Sequence, residues 1–177
     1  NISKWPFKRN ELQSMVAGCN SFDSINLELN EQSFINTKLD DNLIRKAVQL
    51  NQEDRDLCLK IYGPISDWDV SEVTNMSQLF SGIKSFNQPI GDWNVSKVTD
   101  MSGMFEDCES FNQDISDWDV SNVTDMSRMF VRAKQFNKPI GNWNTSKVTN
   151  MEFMFHCTVS FDQPIENVKW PNSLKEI

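Results

Sequence analysis

A 25-residue repeat constrains this chain more than any other feature of its sequence. Isoleucine, tryptophan, methionine and two phenylalanine positions all recur at that spacing. The tryptophans are Trp68, Trp93, Trp118 and Trp143. One repeat of this length has too little apolar surface to form a core by itself, so successive repeats must stack to bury it. The sequence therefore predicts four stacked repeats over residues 65–164.

The pattern within a repeat predicts a short strand followed by a short helix. Apolar and polar residues alternate around Trp93, which places Trp93 and Val95 inward. Met101, Met104 and Phe105 follow at helical spacing, on one face of a helical turn. A period of 25 residues lies in the leucine-rich-repeat range of about 20–29. We therefore expect an α/β repeat solenoid, leucine-rich-repeat-like, with a short parallel strand and a short helix in each coil.

Residues 39–64 are predicted to form a helical cap at the N-terminal end of this solenoid. Asp40 or Asp41 can cap a first helix, a second fits Glu53–Tyr62, and Gly63 and the following proline end it. Such a cap would cover the edge of the first repeat, which would otherwise lie open. Residues 165–177 begin a fifth repeat and depart from its pattern, as a degenerate C-terminal cap does. Residues 1–38 form an N-terminal extension to which the sequence assigns no role.

Composition and motifs exclude several classes of function. The formal net charge is −8, so the chain lacks the basic patch that nucleic acid requires. No apolar run approaches the roughly 20 residues of a membrane span, and no signal peptide is visible, so membrane insertion is not expected. We find no phosphate-binding loop, dinucleotide fingerprint or metal-ligand spacing. The sequence thus predicts a protein that is not an enzyme, without cofactor, metal or catalytic residues; it leaves the oligomeric state open.

The candidate site is a set of polar residues on the outward side of the predicted strands. They are Asp67, Asp69, Asp92, Asn94, Asp117, Asp119, Asn142 and Asn144. Stacking would bring like charges close together, which destabilises the fold unless they are screened or bound. One interpretation is that this surface binds basic groups of a partner protein. Two alternatives stay open: the side chains serve local turns and solubility, or they coordinate a hard cation such as calcium.

Two runs of the repeat carry a resemblance to a known family. They are Ile65-Ser-Asp-Trp-Asp-Val-Ser-Glu-Val-Thr-Asn-Met-Ser-Gln-Leu-Phe80 and Ile115-Ser-Asp-Trp-Asp-Val-Ser-Asn-Val-Thr-Asp-Met-Ser-Arg-Met-Phe130. Both resemble the BspA-type surface-protein repeats of bacterial surface lipoproteins and adhesins, which also occur in algal and large-DNA-virus proteins. The resemblance implies a leucine-rich-repeat-like protein used in attachment or protein contact, and it implies no catalytic activity.

Two functions follow from the residues and the resemblance together. The first is a non-catalytic protein-interaction or attachment module that presents an acidic face to another protein. The second is a structural subunit of a larger assembly, such as a virion or organelle complex. The resemblance places such a protein at a cell surface or in an assembly, while the residues themselves leave the compartment open.

Overall fold

The computed structural model describes residues 38–166 and residue 168. The chain divides into two compact units, Asn1–Ser33 and Phe34–Ile177, of which the first lies wholly outside the described residues. The predicted extension over residues 1–38 is therefore described only at Lys38, and the predicted C-terminal cap only at residues 165, 166 and 168. The domain bounds given above stay predictions.

Two helices precede the repeats. Helix α1 spans Asp41–Glu53 and helix α2 spans Arg55–Tyr62, and they pack against each other. Asp40 is the N-cap of α1, because its carboxylate accepts the backbone N–H groups of Asn42 and Leu43 at 3.0 and 2.8 Å. Asp54 caps α2 in the same way. The helices bury one apolar side each, formed by Leu43, Ile44, Ala47, Val48, Leu50, Leu57, Cys58, Ile61 and Tyr62.

The predicted α/β repeat solenoid is wrong. Within residues 38–166 and 168, the only helices are α1, α2 and a single 3-10 turn at Ile65–Asp67, and there is no β-strand. The β-type pairing between the described repeats is limited to isolated parallel bridges, which join Asn75 to Asp100, Asp100 to Asp125 and Asp125 to Asn150. Each repeat is therefore a series of turns, and the leucine-rich-repeat-like alternation of strand and helix is absent from the described repeats.

Backbone hydrogen bonding explains why the Met101–Phe105 segment does not form a helix. Every second N–H group, such as those of Met101 and Phe105, donates to a carbonyl of the following repeat at 2.8–2.9 Å. The intervening groups, such as that of Met104, donate three residues back within their own repeat. An α-helix would direct all these donors within one segment and leave none to join the repeats. Stacking thus replaces the helix with consecutive turns.

In every repeat, two positions have a left-handed backbone conformation. They occur in the segment whose N–H groups bind alternately the following repeat and their own. The first position holds Gln78, Gly103, Arg128 and Phe153, and the second holds Gly82, Asp107, Arg132 and Cys157. Their φ angles lie between 54° and 80°. Such angles interrupt any right-handed helix, and residues with a Cβ adopt them at a cost of about 1–2 kcal/mol each. Six of the eight positions carry a side chain, so hydrogen bonding between repeats must offset that cost.

Columns of aromatic rings form the core between stacked repeats. Phe80, Phe105, Phe130 and Phe155 form one column, and Phe86, Phe111, Phe136 and Phe161 form the other. Ring centroids of successive repeats lie 5.6–5.9 Å apart in both columns. The Trp93 indole N–H donates to the Ile65 carbonyl of the preceding repeat at 2.8 Å, and later tryptophans repeat this bond. The buried tryptophans therefore contribute both apolar contact and a satisfied donor.

Helix α1 supplies the first repeat with the partners that a preceding repeat would provide. In the second repeat, the N–H and hydroxyl of Thr99 both donate to the Thr74 carbonyl of the first repeat. Thr74 itself donates the same two groups to the carboxylate of Asp41, at 2.7 Å each. Arg45 donates to the Ser77 carbonyl at 2.8 Å. These two side chains of α1 thus satisfy polar groups at the edge of the first repeat.

Two phenylalanines test the importance of the ring columns. Phe105 is fully buried and stacks against rings before and after it, whereas Phe153 is 64% exposed. We expect Phe105→Ala to lower the free energy of unfolding by about 3–5 kcal/mol, through lost burial and the cavity left behind. Phe153→Ala should change it by no more than about 0.5 kcal/mol. Urea denaturation of both variants checks this, and equal effects would contradict the stacked core.

Asp41 provides a pH-dependent test of the cap. Partial burial alone would raise the pKa of Asp41, but hydrogen bonds from Asn75 and Thr74, together with the charge of Arg45, hold that pKa below its ordinary value. Stability from this carboxylate is therefore present above the unfolded-chain pKa of about 3.9 and is lost as the pH falls through the lower folded-state pKa.

We expect Asp41→Ala to cost about 1–3 kcal/mol of unfolding free energy at pH 7, because charge-assisted hydrogen bonds are lost. The difference from the unaltered chain should shrink as the pH falls below about 4. Chemical denaturation at several pH values measures both effects. A difference that stays constant down to pH 2 would show that the ionised carboxylate is not what holds the cap.

Candidate functional site

The structure arranges the eight predicted site residues in two columns beside the buried tryptophans. We call Asp67, Asp92, Asp117 and Asn142 the outer column, and Asp69, Asn94, Asp119 and Asn144 the turn column. The tryptophan between the two positions is buried in every repeat, whereas seven of the eight polar residues are exposed and Asp69 is half-buried. The stacking of repeats, without any strand, places equivalent members one after another along the same side of the chain.

Residues of the turn column bind their own backbone. The side-chain oxygen of each accepts the N–H of the serine two residues later, as Asp119 does from Ser121 at 3.0 Å. The distances in the other three repeats are 3.1–3.3 Å. Short polar side chains stabilise turns in this way. The turn column therefore has a structural role, which is the local-turn alternative considered for these positions.

The same hydrogen bonds affect the acidity of the turn column. The side-chain hydrogen bond with Ser71 lowers the pKa of Asp69 despite some burial, and nearby Lys38 adds to the effect. The pKa of Asp119 is lowered chiefly by its hydrogen bonds with Ser121. Both carboxylates are therefore ionised near neutral pH, with one oxygen committed to a turn.

Residues of the outer column are much less engaged. Asp67 accepts a hydrogen bond from the neighbouring Ser66 hydroxyl at 2.7 Å. Asp92, Asp117 and Asn142 have no hydrogen-bond or ion-pair partner among the residues that the structure describes. All four side chains are exposed. This column thus presents polar groups that local structure does not use.

Two other charged columns have opposite signs in adjacent repeats. Glu109 lies between Lys84 and Lys134, with nitrogen–oxygen distances of 3.2 and 2.8 Å. Glu72 pairs with Lys97 at 2.9 Å, in the equivalent position of the next repeat. Because equivalent residues lie in adjacent repeats, alternating signs convert repulsion into attraction. These pairs lie outside the eight candidate positions, although residues 25 apart in the sequence already have opposite charges there.

Arginine pairs with carboxylates in the second and third repeats. Arg128 contacts the buried Glu106 at 2.5 Å, and Arg132 pairs with Asp107 through two nitrogen atoms. The Arg132 hydrogen bond lowers the pKa of Asp107 below its ordinary value. The outer column contains no basic residue at any of its four positions, so it has no comparable internal neutralisation.

A further polar column, missed in the sequence analysis, joins the repeats at the isolated bridges. Asp100 and Asp125 each accept the N–H and hydroxyl of the serine two residues on. An amide flanks each carboxylate: Asn75 donates to Asp100 at 3.4 Å, and Asn150 donates to Asp125 at 3.0 Å. These groups satisfy one another, which indicates a structural role. The Asp-x-Ser spacing is visible in the sequence and was the available signal.

The described residues include possible metal ligands and cysteine thiols. Across residues 38–166 and 168, no group of three or more His, Cys, Asp and Glu side chains could hold a metal ion. Burial raises the pKa of the Cys58 and Cys108 thiols to about 12, which suppresses thiolate formation. His156 and Cys157 are exposed at the last described repeat. Cys19 lies outside the described residues.

The repeats match one family model, described as Mycoplasma protein of unknown function, DUF285, over residues 55–170. The chain belongs to the DUF285 family. The matched range contains both columns and all four repeats, and it begins at the first residue of α2. Helix α1, which supplies Asp41 and Arg45, precedes it. Neither a curated protein nor a solved structure matches this member of the DUF285 family.

Membership of DUF285 supports the predicted relation to repeat proteins but not the narrower assignment to BspA-type repeats. The description of the family names no activity. Among the described residues of this DUF285 protein, no helix has the length and apolar character needed to cross a membrane.

The difference between the two columns can be tested on two aspartates of the same repeat. Asp119→Ala removes the acceptor for the Ser121 N–H and should lower the free energy of unfolding by about 0.5–1.5 kcal/mol. Asp117→Ala removes a carboxylate without a partner and should cause no loss. Thermal or urea denaturation at neutral pH measures both. If Asp117→Ala is the more damaging variant, the assignment of the two columns is wrong.

Proposed function

We propose that this chain is a non-catalytic protein-interaction module whose contact surface is the outer column. The partner is another protein with basic groups at its contact surface. One observation carries the proposal: Asp67, Asp92 and Asp117 are exposed carboxylates in successive repeats, and no basic residue occupies any position of their column.

Electrostatics supports a basic partner. Exposed like charges in adjacent repeats repel one another, whereas a lysine or arginine between them would reduce that repulsion. Elsewhere the chain pairs charges between repeats, as at Lys84, Glu109 and Lys134, or satisfies carboxylates with serine and asparagine donors, as at Asp100 and Asp125. The outer column is thus a run of exposed carboxylates in successive repeats that such contacts do not engage, apart from the Ser66 hydroxyl at Asp67. The overall charge of −8 adds long-range attraction for the same kind of partner.

The turn column has a secondary part in this proposal. Its side chains lie beside the outer column and are mostly exposed, but each gives one oxygen to a turn. Asp69 and Asp119 can still contribute negative charge to the surface. Their removal would alter both folding and binding, so they are poor positions at which to test function.

The sequence resemblance supplies the biological setting of the proposal. The run from Ile65 to Phe80 and its counterpart in the third repeat resemble BspA-type repeats, which function in surface attachment. We infer an attachment role at a cell surface or in an assembly from that resemblance. A structural subunit of a virion or organelle complex is the alternative. It predicts that the chain co-purifies in a stable stoichiometric particle, whereas an attachment module should be recovered free or tethered.

Charge reversal of the outer column tests the contact surface. We expect the triple variant Asp67→Lys, Asp92→Lys, Asp117→Lys to bind an oligolysine peptide roughly tenfold more weakly, if each exposed pair contributes about 0.5 kcal/mol. Calorimetry or fluorescence anisotropy at low salt measures the affinity. Added salt should weaken binding by the unaltered chain, because the contacts are exposed.

A matched variant separates this surface from the effect of net charge. Glu152→Lys, Asp162→Lys and Glu166→Lys together change the charge by the same amount at exposed residues outside both columns. The control should lose clearly less affinity than the outer-column variant. Equal losses would mean that only net charge attracts the peptide, and the outer column would then not be the contact surface. Circular dichroism should show that both variants remain folded.

A further inference from the structure

The last edge of the repeat array differs from the edges between repeats. In each of the first three repeats, four alternate N–H groups donate to carbonyls of the following repeat at 2.8–3.0 Å, as Phe130 does to Met154. The equivalent groups of the fourth repeat have no acceptor among residues 38–166 and 168. They are the N–H groups of Met151, Phe153, Phe155 and Cys157. We call this row of donors the terminal edge.

The two phenylalanine columns are also uncovered at the terminal edge. Phe155 and Phe161 end the columns and are half-buried, whereas each earlier member is at most 2% exposed. Between repeats, the following repeat stacks a ring on each phenylalanine at 5.6–5.9 Å. The terminal edge therefore presents both parts of the interface that joins repeats, which are backbone donors and an aromatic surface.

The outward side of the fourth repeat is apolar at positions that are polar or charged in earlier repeats. Val159 is 78% exposed and Phe153 is 64% exposed. They are two of the three large apolar side chains that are exposed in the described part of the chain. The position of Val159 holds Lys84, Glu109 and Lys134 in the earlier repeats, where these residues form ion pairs. Exposed apolar side chains beside an open edge indicate a contact surface.

The start of the fifth repeat leaves this surface open. The Val168 N–H donates to the Ile165 carbonyl at 3.0 Å, as Trp143 does to Ile140, so the stack continues at the tryptophan position. The exposed fraction of Val159 is measured with that turn in place. The column of lysine and glutamate also stops at Val159, which offers no charge with which a further repeat of the same kind could pair.

The polarity of the terminal edge decides what can cover it. A second copy placed edge to edge would bring N–H donors against N–H donors. A second copy placed with its first repeat against the edge is blocked, because Asp41 and Arg45 of α1 already bind that side of the first repeat. The edge therefore matches a segment of a different protein that supplies carbonyl acceptors.

We propose that the terminal edge binds an extended, uncharged segment of another protein. Carbonyl groups at alternate residues of that segment accept the N–H groups of Phe153, Phe155 and Cys157, and an aromatic side chain stacks on Phe155. Adding a segment to an open backbone edge in this way is a common mode of peptide recognition. Phe153 and Val159 contact its apolar side chains. No residue of the outer column takes part, so the two surfaces are independent.

A peptide that copies residues 74–86, blocked at both ends, tests the proposal. It carries both phenylalanine positions of a repeat and a single charge, at Lys84. NMR titration of the full chain should give saturable shifts of the Phe153, Phe155 and Cys157 backbone amides. A peptide with serine in place of both phenylalanines should bind at least about tenfold more weakly. Absent shifts at these amides, or equal binding of the serine peptide, would overturn the proposal.

Substitutions in the fourth repeat separate this surface from unspecific apolar binding. The double variant Phe153→Gln, Val159→Lys carries the residue types that the first repeat holds at Gln78 and Lys84, and Gln78 has nearly the same φ as Phe153, 54° against 56°. It should remain folded and bind the peptide at least about tenfold more weakly. Leu59→Gln removes the third exposed apolar side chain, on α2, and should leave the affinity unchanged. Equal losses in both variants would exclude the terminal edge.

Two further measurements distinguish the occupant. Added salt should leave peptide affinity unchanged, because the contacts are uncharged, whereas it weakens binding at the outer column. Sedimentation velocity of the unaltered chain should show no association that the double variant abolishes. A dimer that dissociates in the double variant would identify a second copy as the occupant and contradict the proposal.

Discussion

Hydrogen bonds between consecutive repeats determine the form of this protein. Alternate backbone N–H groups along a segment such as Met101–Asp107 bind the following repeat, while the groups between them close local turns. This division satisfies the buried backbone without strands or helices. It also requires left-handed φ angles at two positions per repeat, including the positions of Arg128 and Arg132. Equivalent residues of adjacent repeats are consequently held in columns.

Because equivalent residues of adjacent repeats lie next to one another, the residue type at each position of the repeat affects the stability of the stack. An aromatic position benefits from stacking, as the rings of Phe80 and Phe105 do at 5.7 Å. A charged position repeated with one sign is unfavourable, and the chain alternates signs at Glu72 and Lys97. The Asp100 and Asp125 column keeps one sign but satisfies its carboxylates with serine and asparagine donors, whereas Asp92 and Asp117 of the outer column have neither kind of compensation. That lack of compensation gives Asp92 and Asp117 their interest as contact residues, because no stabilising role within the described structure accounts for them.

The first repeat differs from the others because helices, not a repeat, precede it. Asp41 and Arg45 reproduce the acceptors and donors of a missing neighbour along one part of its edge. Another part is not reproduced, and a cavity beside Asn51 and Arg55 lies there. The end of the repeat array thus lacks the translational symmetry that satisfies the backbone of the later repeats.

Periodicity in the sequence was sufficient to identify the repeats, the burial of residues such as Trp93 and Val95, and Asp40 as one of two helix caps. It also located the two polar columns, because spacing by 25 residues is visible without coordinates. Local pattern could not decide the backbone conformation: Met101, Met104 and Phe105 match a helix equally well when they lie in consecutive turns. Only the tertiary structure decided that, since the competing hydrogen-bond partners belong to residues 24 positions away. For the same reason it distinguished Asp119, which binds its own turn, from Asp117, which does not, and revealed the cavity formed by helix ends and first repeat.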